Sequence, residues 1–106
     1  MRTIVEKKDE HILVCLSSSP TNKKIISTAA KMAGVFHARF TALYVQTGTE
    51  TISADKERLE AHIRYAEESG AEIVMTHGED VPLQIAEYAH LSGVTKIVIG
   101  QSSVIK

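Results

Sequence analysis

Four short apolar runs alternate with three longer stretches of helical period, and few architectures accept that alternation. The runs are 11–17, 38–46, 71–77 and 96–100. Between them lie stretches with apolar residues three and four apart, each closing on a glycine. Ile25, Ile26, Ala29, Ala30 and Ala33 precede Gly34, Leu59, Ile63 and Ala66 precede Gly70, and Leu83, Ile85, Ala86 and Ala89 precede Gly93. Period two followed by period 3.6 marks strand then helix, and a terminal glycine is a common helix stop. The pattern therefore predicts βαβαβαβ, an α/β fold with a small, open, doubly wound parallel sheet, helices on both faces and right-handed crossovers. The first run, Ile12-Leu13-Val14-Cys15-Leu16, is apolar without a break, as a strand buried on both faces must be. We place it centrally and expect the strand order 3-2-1-4, with the topological switch between strands one and four. A fourth strand at the edge leaves the apolar Ile97-Val98-Ile99 ladder unpaired, an association hazard. A truncated fifth strand, or a second chain at that edge, would resolve it.

Local signals refine the boundaries. Ser19 followed by Pro20 reads as a hydroxyl N-cap with proline in the first turn, and Asp80 reads as the cap of the third helix. Residues 1–10 are polar and aperiodic, a leader or linker, and 11–106 form one domain of a size that supports a single core. Lys and Arg number 12 against 13 Asp and Glu, for a net charge of −1. Spread along the chain, these charges exclude duplex nucleic acid and anionic membrane as bulk electrostatic partners. Cys15 is the sole cysteine and sits within the first apolar run, so it forms no internal disulfide and reads as an inert buried thiol. A reducing, cytoplasmic setting fits.

The chemistry-bearing residues gather at strand ends. Ser17-Ser18-Ser19 closes the first strand at a helix start, where hydroxyls and unpaired backbone N–H groups favour an anion such as a phosphate. The same serines would serve as a plain cap and loop. Along the second strand, Phe40, Ala42 and Tyr44 share one face and Thr41, Leu43 and Val45 the other. Ala42 leaves room for a flat ring whose edge main-chain groups read, and Tyr44 stands near the strand's carboxyl end, while Phe40 suits the core. Gly100-Gln101-Ser102 reads either as a second phosphate arm, since glycine permits close backbone approach, or simply as a strand end. In open α/β sheets ligands sit outside the carboxyl ends of the strands at the switch point, which favours a site there. No Walker A or dinucleotide fingerprint is present. The five histidines, at 11, 37, 62, 77 and 90, lack metal-ligand spacing, and His62 and Arg64 read as solvated residues of the second helix. No serine has an evident His/Asp partner, so no catalytic residue is assigned and the chain reads as a binding domain rather than an enzyme.

The stretches His11-Ile12-Leu13-Val14-Cys15-Leu16-Ser17, Gly78-Glu79-Asp80-Val81 and Lys96-Ile97-Val98-Ile99-Gly100 resemble the universal stress protein family. More closely they resemble the universal-stress-protein-like domain of KdpD-type potassium-responsive sensor histidine kinases, from about residue 11 to 100. ATP-binding members carry G-x-x-G-x9-G-[ST] after the fourth strand, whereas position 103 here is Ser103. A subset of the kinases carries S-x-S, twenty residues, then F-T-A-x-Y, which Ser17-Ser18-Ser19 and Phe40-Thr41-Ala42-Leu43-Tyr44 reproduce with the same gap. That resemblance implies a cyclic di-AMP receptor. Its site would comprise Ser17, Ser18, Ser19, Phe40, Thr41, Ala42, Tyr44, Gly100, Gln101 and Ser102 in the cleft between strands one and four, with no metal. It further implies a cytoplasmic regulatory domain of a membrane-anchored kinase, with the rest of that kinase as partner and a homodimer through the strand-four edge. An ATP-type stress protein and a protein-interaction module without nucleotide are the alternatives.

Overall fold

The computed structural model describes residues 10–48 and 53–100. In chain order the elements are β1 (His11–Cys15), α1 (Asn22–Phe36), β2 (Arg39–Gln46), α2 (Ser53–Glu68), β3 (Glu72–His77), α3 (Val81–Ser92) and β4 (Lys96–Val98). All neighbours pair in parallel and the order is β3-β2-β1-β4, as the alternation predicts. The register sets Val14 beside Ala42 on one side and Val98 on the other. The leader, apart from Glu10, and the tail residues Gln101 and Ser102 lie outside the described residues.

The two faces of β1 are covered unequally. Ile12, Val14 and Leu16 join Phe40 and Ala42 beneath α1 and α2, where Ile26, Ala29, Ala33 and Ala66 are buried. Leu13, Leu43 and Val45 face α3, which supplies Val81, Ile85, Tyr88 and Ala89. No residue of α3 is fully buried. At the edge, Ile97 pairs with Leu13 in register and so shares its face, yet 43% of it remains exposed, and Ile99 is 54% exposed. Among the described residues no helix is long and apolar enough to cross a membrane.

Four boundaries differ clearly from expectation. Helix α1 begins at Asn22 with Thr21 as N-cap, not at Ser19-Pro20. The Ser19 hydroxyl is spent locally, accepting from Thr21 N–H at 3.3 Å and sharing a hydrogen bond with Thr21 Oγ1 at 3.0 Å, so Pro20 falls in the turn before the helix. The same helix passes through Gly34 and stops at His37, a left-handed residue with φ 52° whose N–H turns back to the carbonyls of Ala33 and Gly34. Ala38 N–H also bonds Ala33 O at 2.9 Å. This double closure satisfies the last carbonyls without glycine, and histidine is among the residues that tolerate αL better than most. Strands β1 and β4 end at Cys15 and Val98, short of Ser17 and Gly100. By contrast, Asp80 caps α3 as predicted, accepting from Leu83 N–H at 3.1 Å, and Gly93 ends it at φ 70°.

Candidate functional site

The carboxyl end of β1 opens into a turn built almost wholly from side-chain-to-backbone hydrogen bonds. The ladder makes one last bond, Leu16 N–H to Leu43 O at 2.8 Å. Beyond it, Asn22 reaches back from the first turn of α1. Its Oδ1 accepts from Ser17 N–H at 3.2 Å, and its Nδ2 donates to Cys15 O at 3.0 Å. Within the turn, Ser17 Oγ accepts from Ser19 N–H at 3.1 Å. From the α2 side, His62 Nδ1 donates to Ser17 O at 2.8 Å, and Arg58 Nη1 donates to Ser18 O at 3.0 Å while also holding Asp55 at 3.2 Å. A carbonyl oxygen only accepts, so the His62 proton sits on Nδ1.

Two adjoining cavities flank this turn. One, of about 280 Å³, lies on the β4 side, lined by Ser17, Ser19, Thr21, Asn22, Ile25, Ile99 and Gly100 with Val81 and Ile85 below. The other, of about 260 Å³, lies on the β2 side, lined by Ser17, Ser18, Tyr44, Thr47 and Leu59, again over Val81 and Ile85. Cys15, Leu16 and Ser17 form their common wall. The Cys15 thiol is pushed up to about 11 by burial, so at neutral pH this wall presents a protonated, weakly polar group and no thiolate.

The structure brings some of the expected residues together and separates others. Ser17, Ser18, Ser19, Tyr44 and Gly100 line the two cavities. Phe40, Thr41 and Ala42 do not, with exposures of 8%, 0% and 0%. Phe40 and Ala42 pack in the α1/α2 core. The Thr41 hydroxyl meets the buried His11 Nε2 at 2.8 Å. Strand β2 pairs on both sides, so the main-chain groups beside Ala42 serve the ladder instead of facing a ligand edge. Tyr44 also lies outside the β1–β4 cleft, because β2 stands on the opposite side of β1 from β4.

His62 corrects the reading of a solvated histidine, since it is only 6% exposed and holds the serine turn. Asn22, Arg58 and His62 carry no motif of their own, and the sequence signal that finds them is limited to their place on helices flanking the serines. The backbone donors at the start of α1 are also fewer than expected. The N–H groups of Ser19 and Thr21 are already taken by serine hydroxyls, which leaves the Ser18 N–H and the hydroxyl hydrogens as donors in the turn. Among the described residues no group of three or more His, Cys, Asp or Glu side chains is placed to hold a metal ion.

No protein-family model matches the chain. Over 100 residues it is 46% identical to the sensor protein KdpD of Clostridium acetobutylicum, a match spanning 94% of this chain and 11% of that much longer protein. Among solved structures, a universal stress protein family member from Burkholderia pseudomallei superposes with a TM-score of 0.70 at 24% identity, covering 87% of this chain and 81% of its own. A universal stress protein in complex with cAMP gives 0.64 at 16% identity, with coverage of 91% and 80%. The universal stress protein from Archaeoglobus fulgidus in complex with dAMP gives 0.59 at 24%, with coverage of 86% and 80%.

Proposed function

From a chain that has the universal-stress-protein fold and is nearly half identical to one segment of a KdpD sensor protein, we propose a cytoplasmic regulatory domain that binds cyclic di-AMP and modulates a sensor histidine kinase controlling potassium uptake. The observation that carries this reading is the pair of cavities meeting at Ser17. Sites for drug-sized ligands run to roughly 300–1,000 Å³, so neither cavity suffices alone and the pair does. A cyclic dinucleotide has two purines joined through two phosphates. Each cavity receives one base, and the serine hydroxyls between them meet the phosphates. Tyr44 and Leu59 wall the β2-side base, and Ile25 and Ile99 the β4-side base. The S-x-S and F-T-A-x-Y spacing supports the same ligand.

Calorimetry tests it. Cyclic di-AMP binds with one ligand per domain, and a Ser17→Ala, Ser19→Ala double variant loses about 1 kcal/mol or more per hydroxyl. Absence of binding, or binding unchanged in the variant, defeats the proposal. The solved relatives bound to cAMP and dAMP favour a second reading, a mononucleotide in one cavity. AMP that competes with cyclic di-AMP and binds as tightly would establish it over the first. The exposed Ile97 and Ile99 at the β4 edge support association of two copies there. Sedimentation showing a concentration-dependent dimer that Ile97→Lys abolishes checks this.

A further inference from the structure

Peptide geometry gives Arg58 and His62 a role beyond holding helices together. A trans peptide is planar, with its N–H pointing opposite to its C=O. The carbonyls of Ser17 and Ser18 are both drawn towards α2, by His62 Nδ1 at 2.8 Å and Arg58 Nη1 at 3.0 Å. The N–H groups of Ser18 and Ser19 must therefore face away from α2. Ser19 N–H fixes Ser17 Oγ from that side at 3.1 Å, and Ser18 N–H carries no hydrogen bond among the described residues. The Ser18 N–H and the Ser17 hydroxyl, whose oxygen accepts from Ser19 N–H and whose hydrogen is left to donate, are thus two donors for an anion on one side of the turn.

We infer that Arg58 and His62 are positioning residues: by gripping the carbonyl side of the serine turn from α2, they aim the Ser18 N–H and the Ser17 hydroxyl at a phosphate of the ligand. The inference rests on the cyclic dinucleotide reading for its ligand but not for its geometry. The grip is not needed to dock α2, since Ala66 and the partly buried Leu59 and Ile63 already pack the helix into the core. Nor can the turn find the same hold in α1, because Asn22 is committed to Ser17 N–H and Cys15 O. His62 is 6% exposed, so its ring has little freedom to release Ser17. Arg58 is fixed at its other side by Asp55.

The test compares wild type with Arg58→Met, His62→Leu and His62→Asn. Asparagine places its Nδ2 close to where imidazole has Nδ1, so it restores the donor without the ring. Two quantities are measured: the affinity for cyclic di-AMP by calorimetry, and the backbone amide resonances of Ser18 and Ser19 in ligand-free protein. Arg58→Met and His62→Leu are expected to weaken binding about tenfold, the worth of one hydrogen bond of about 1.4 kcal/mol. His62→Asn is expected to stay within about threefold of wild type, as one retained hydrogen bond predicts. The two amide resonances move in Arg58→Met and His62→Leu and hold in His62→Asn. Arg58 is partly solvent-exposed, with 39% of its side chain accessible, so Arg58→Met keeps the fold and decides the matter even where His62→Leu does not fold. Wild-type affinity in Arg58→Met, or unmoved Ser18 and Ser19 amides, overturns the inference. A wild type that binds no cyclic di-AMP refutes the ligand reading instead, and the amide resonances still decide whether α2 aims the turn.

Discussion

Asn22→Ala is the substitution whose cost follows most directly from the structure. Asn22 is 2% exposed and spends both ends of its amide on backbone groups, Ser17 N–H and Cys15 O. Alanine leaves one donor and one acceptor without partners. An orphaned buried group costs about 1–3 kcal/mol. Because Cys15 and Ser17 are only partly buried, the lower part of that range applies, for a total of about 2–3 kcal/mol. At about 4–8 °C per kcal/mol for a domain near this size, the melting temperature falls by about 10–20 °C. Urea denaturation should show a lower midpoint at unchanged slope, because the surface exposed on unfolding is the same. Asn22→Asp separates the two bonds. Its carboxylate still accepts from Ser17 N–H, but its second oxygen faces the Cys15 carbonyl and repels it. Protonation converts that oxygen to a donor. Burial and the carbonyl raise the folded-state pKa of the new carboxyl above its unfolded value, so its folded state binds the extra proton and stability grows as pH falls. Measured against wild type at each pH, the deficit of Asn22→Asp should shrink on acidification below neutral. A loss under about 0.5 kcal/mol in Asn22→Ala, or an Asn22→Asp deficit that ignores pH, would refute the reasoning.

Three further outcomes are expected. Thr41→Val should destabilise by about 1–3 kcal/mol in urea, because it removes the hydroxyl that serves His11 Nε2 at 2.8 Å in a fully buried pair. The other ring nitrogen is occupied by Ser92 O at 3.1 Å, so His11 cannot turn to find a substitute. Asp80→Ala should cost about 1 kcal/mol through loss of the α3 N-cap. For Cys15, whose thiol is raised from 9.0 to about 11 by burial, alkylation at pH 8 should be far slower in the folded than in the unfolded chain. Raised means protonated longer in the folded state, so the contribution is complete below pH 9 and lost as pH climbs through about 11. A Cys15→Ser variant that loses stability over that interval as fast as wild type would show that other groups cause the alkaline decline.

The strand order was legible because one run could satisfy only one location. Five apolar residues without a polar break, Ile12 to Leu16, need cover on both faces, and in this sheet β1 has it, with Ile12, Leu13 and Val14 all at 0% exposure. The element ends were less legible, because they are set by bonds that a linear pattern does not encode. His37 closes α1 where Gly34 is the stronger sequence stop, since the N–H groups of residues 37 and 38 both find the last turn of the helix. The same limit applies to the site. Serines at a strand end announce an anion turn, but Asn22, Arg58 and His62 act on backbone atoms of residues five to forty-five positions away. Such bonds have no fixed spacing and demand no particular neighbours.

The F-T-A-L-Y string is legible in a different way once four of its residues prove to be buried. Phe40 and Ala42 sit under α1 and α2, Thr41 and Leu43 point the other way, and of the five only Leu43 and Tyr44 border a cavity. What the string fixes is register. Ala42 is fully buried beside the equally buried Val14, and Thr41 is tied to His11 of the neighbouring strand. Those two constraints lock the Cys15–Leu43 pairing, so the last ladder bond falls at Leu16 N–H to Leu43 O and Tyr44 stands one step beyond, level with the start of the serine turn. A one-residue slip would send every side chain of β2 to the opposite face, removing Tyr44 from the cavity and driving Thr41 into the α1/α2 core. The fixed gap between the serines and this string then has a physical meaning. It is the length of chain, through α1, that brings Tyr44 of β2 to the height at which β1 gives way to the serine turn.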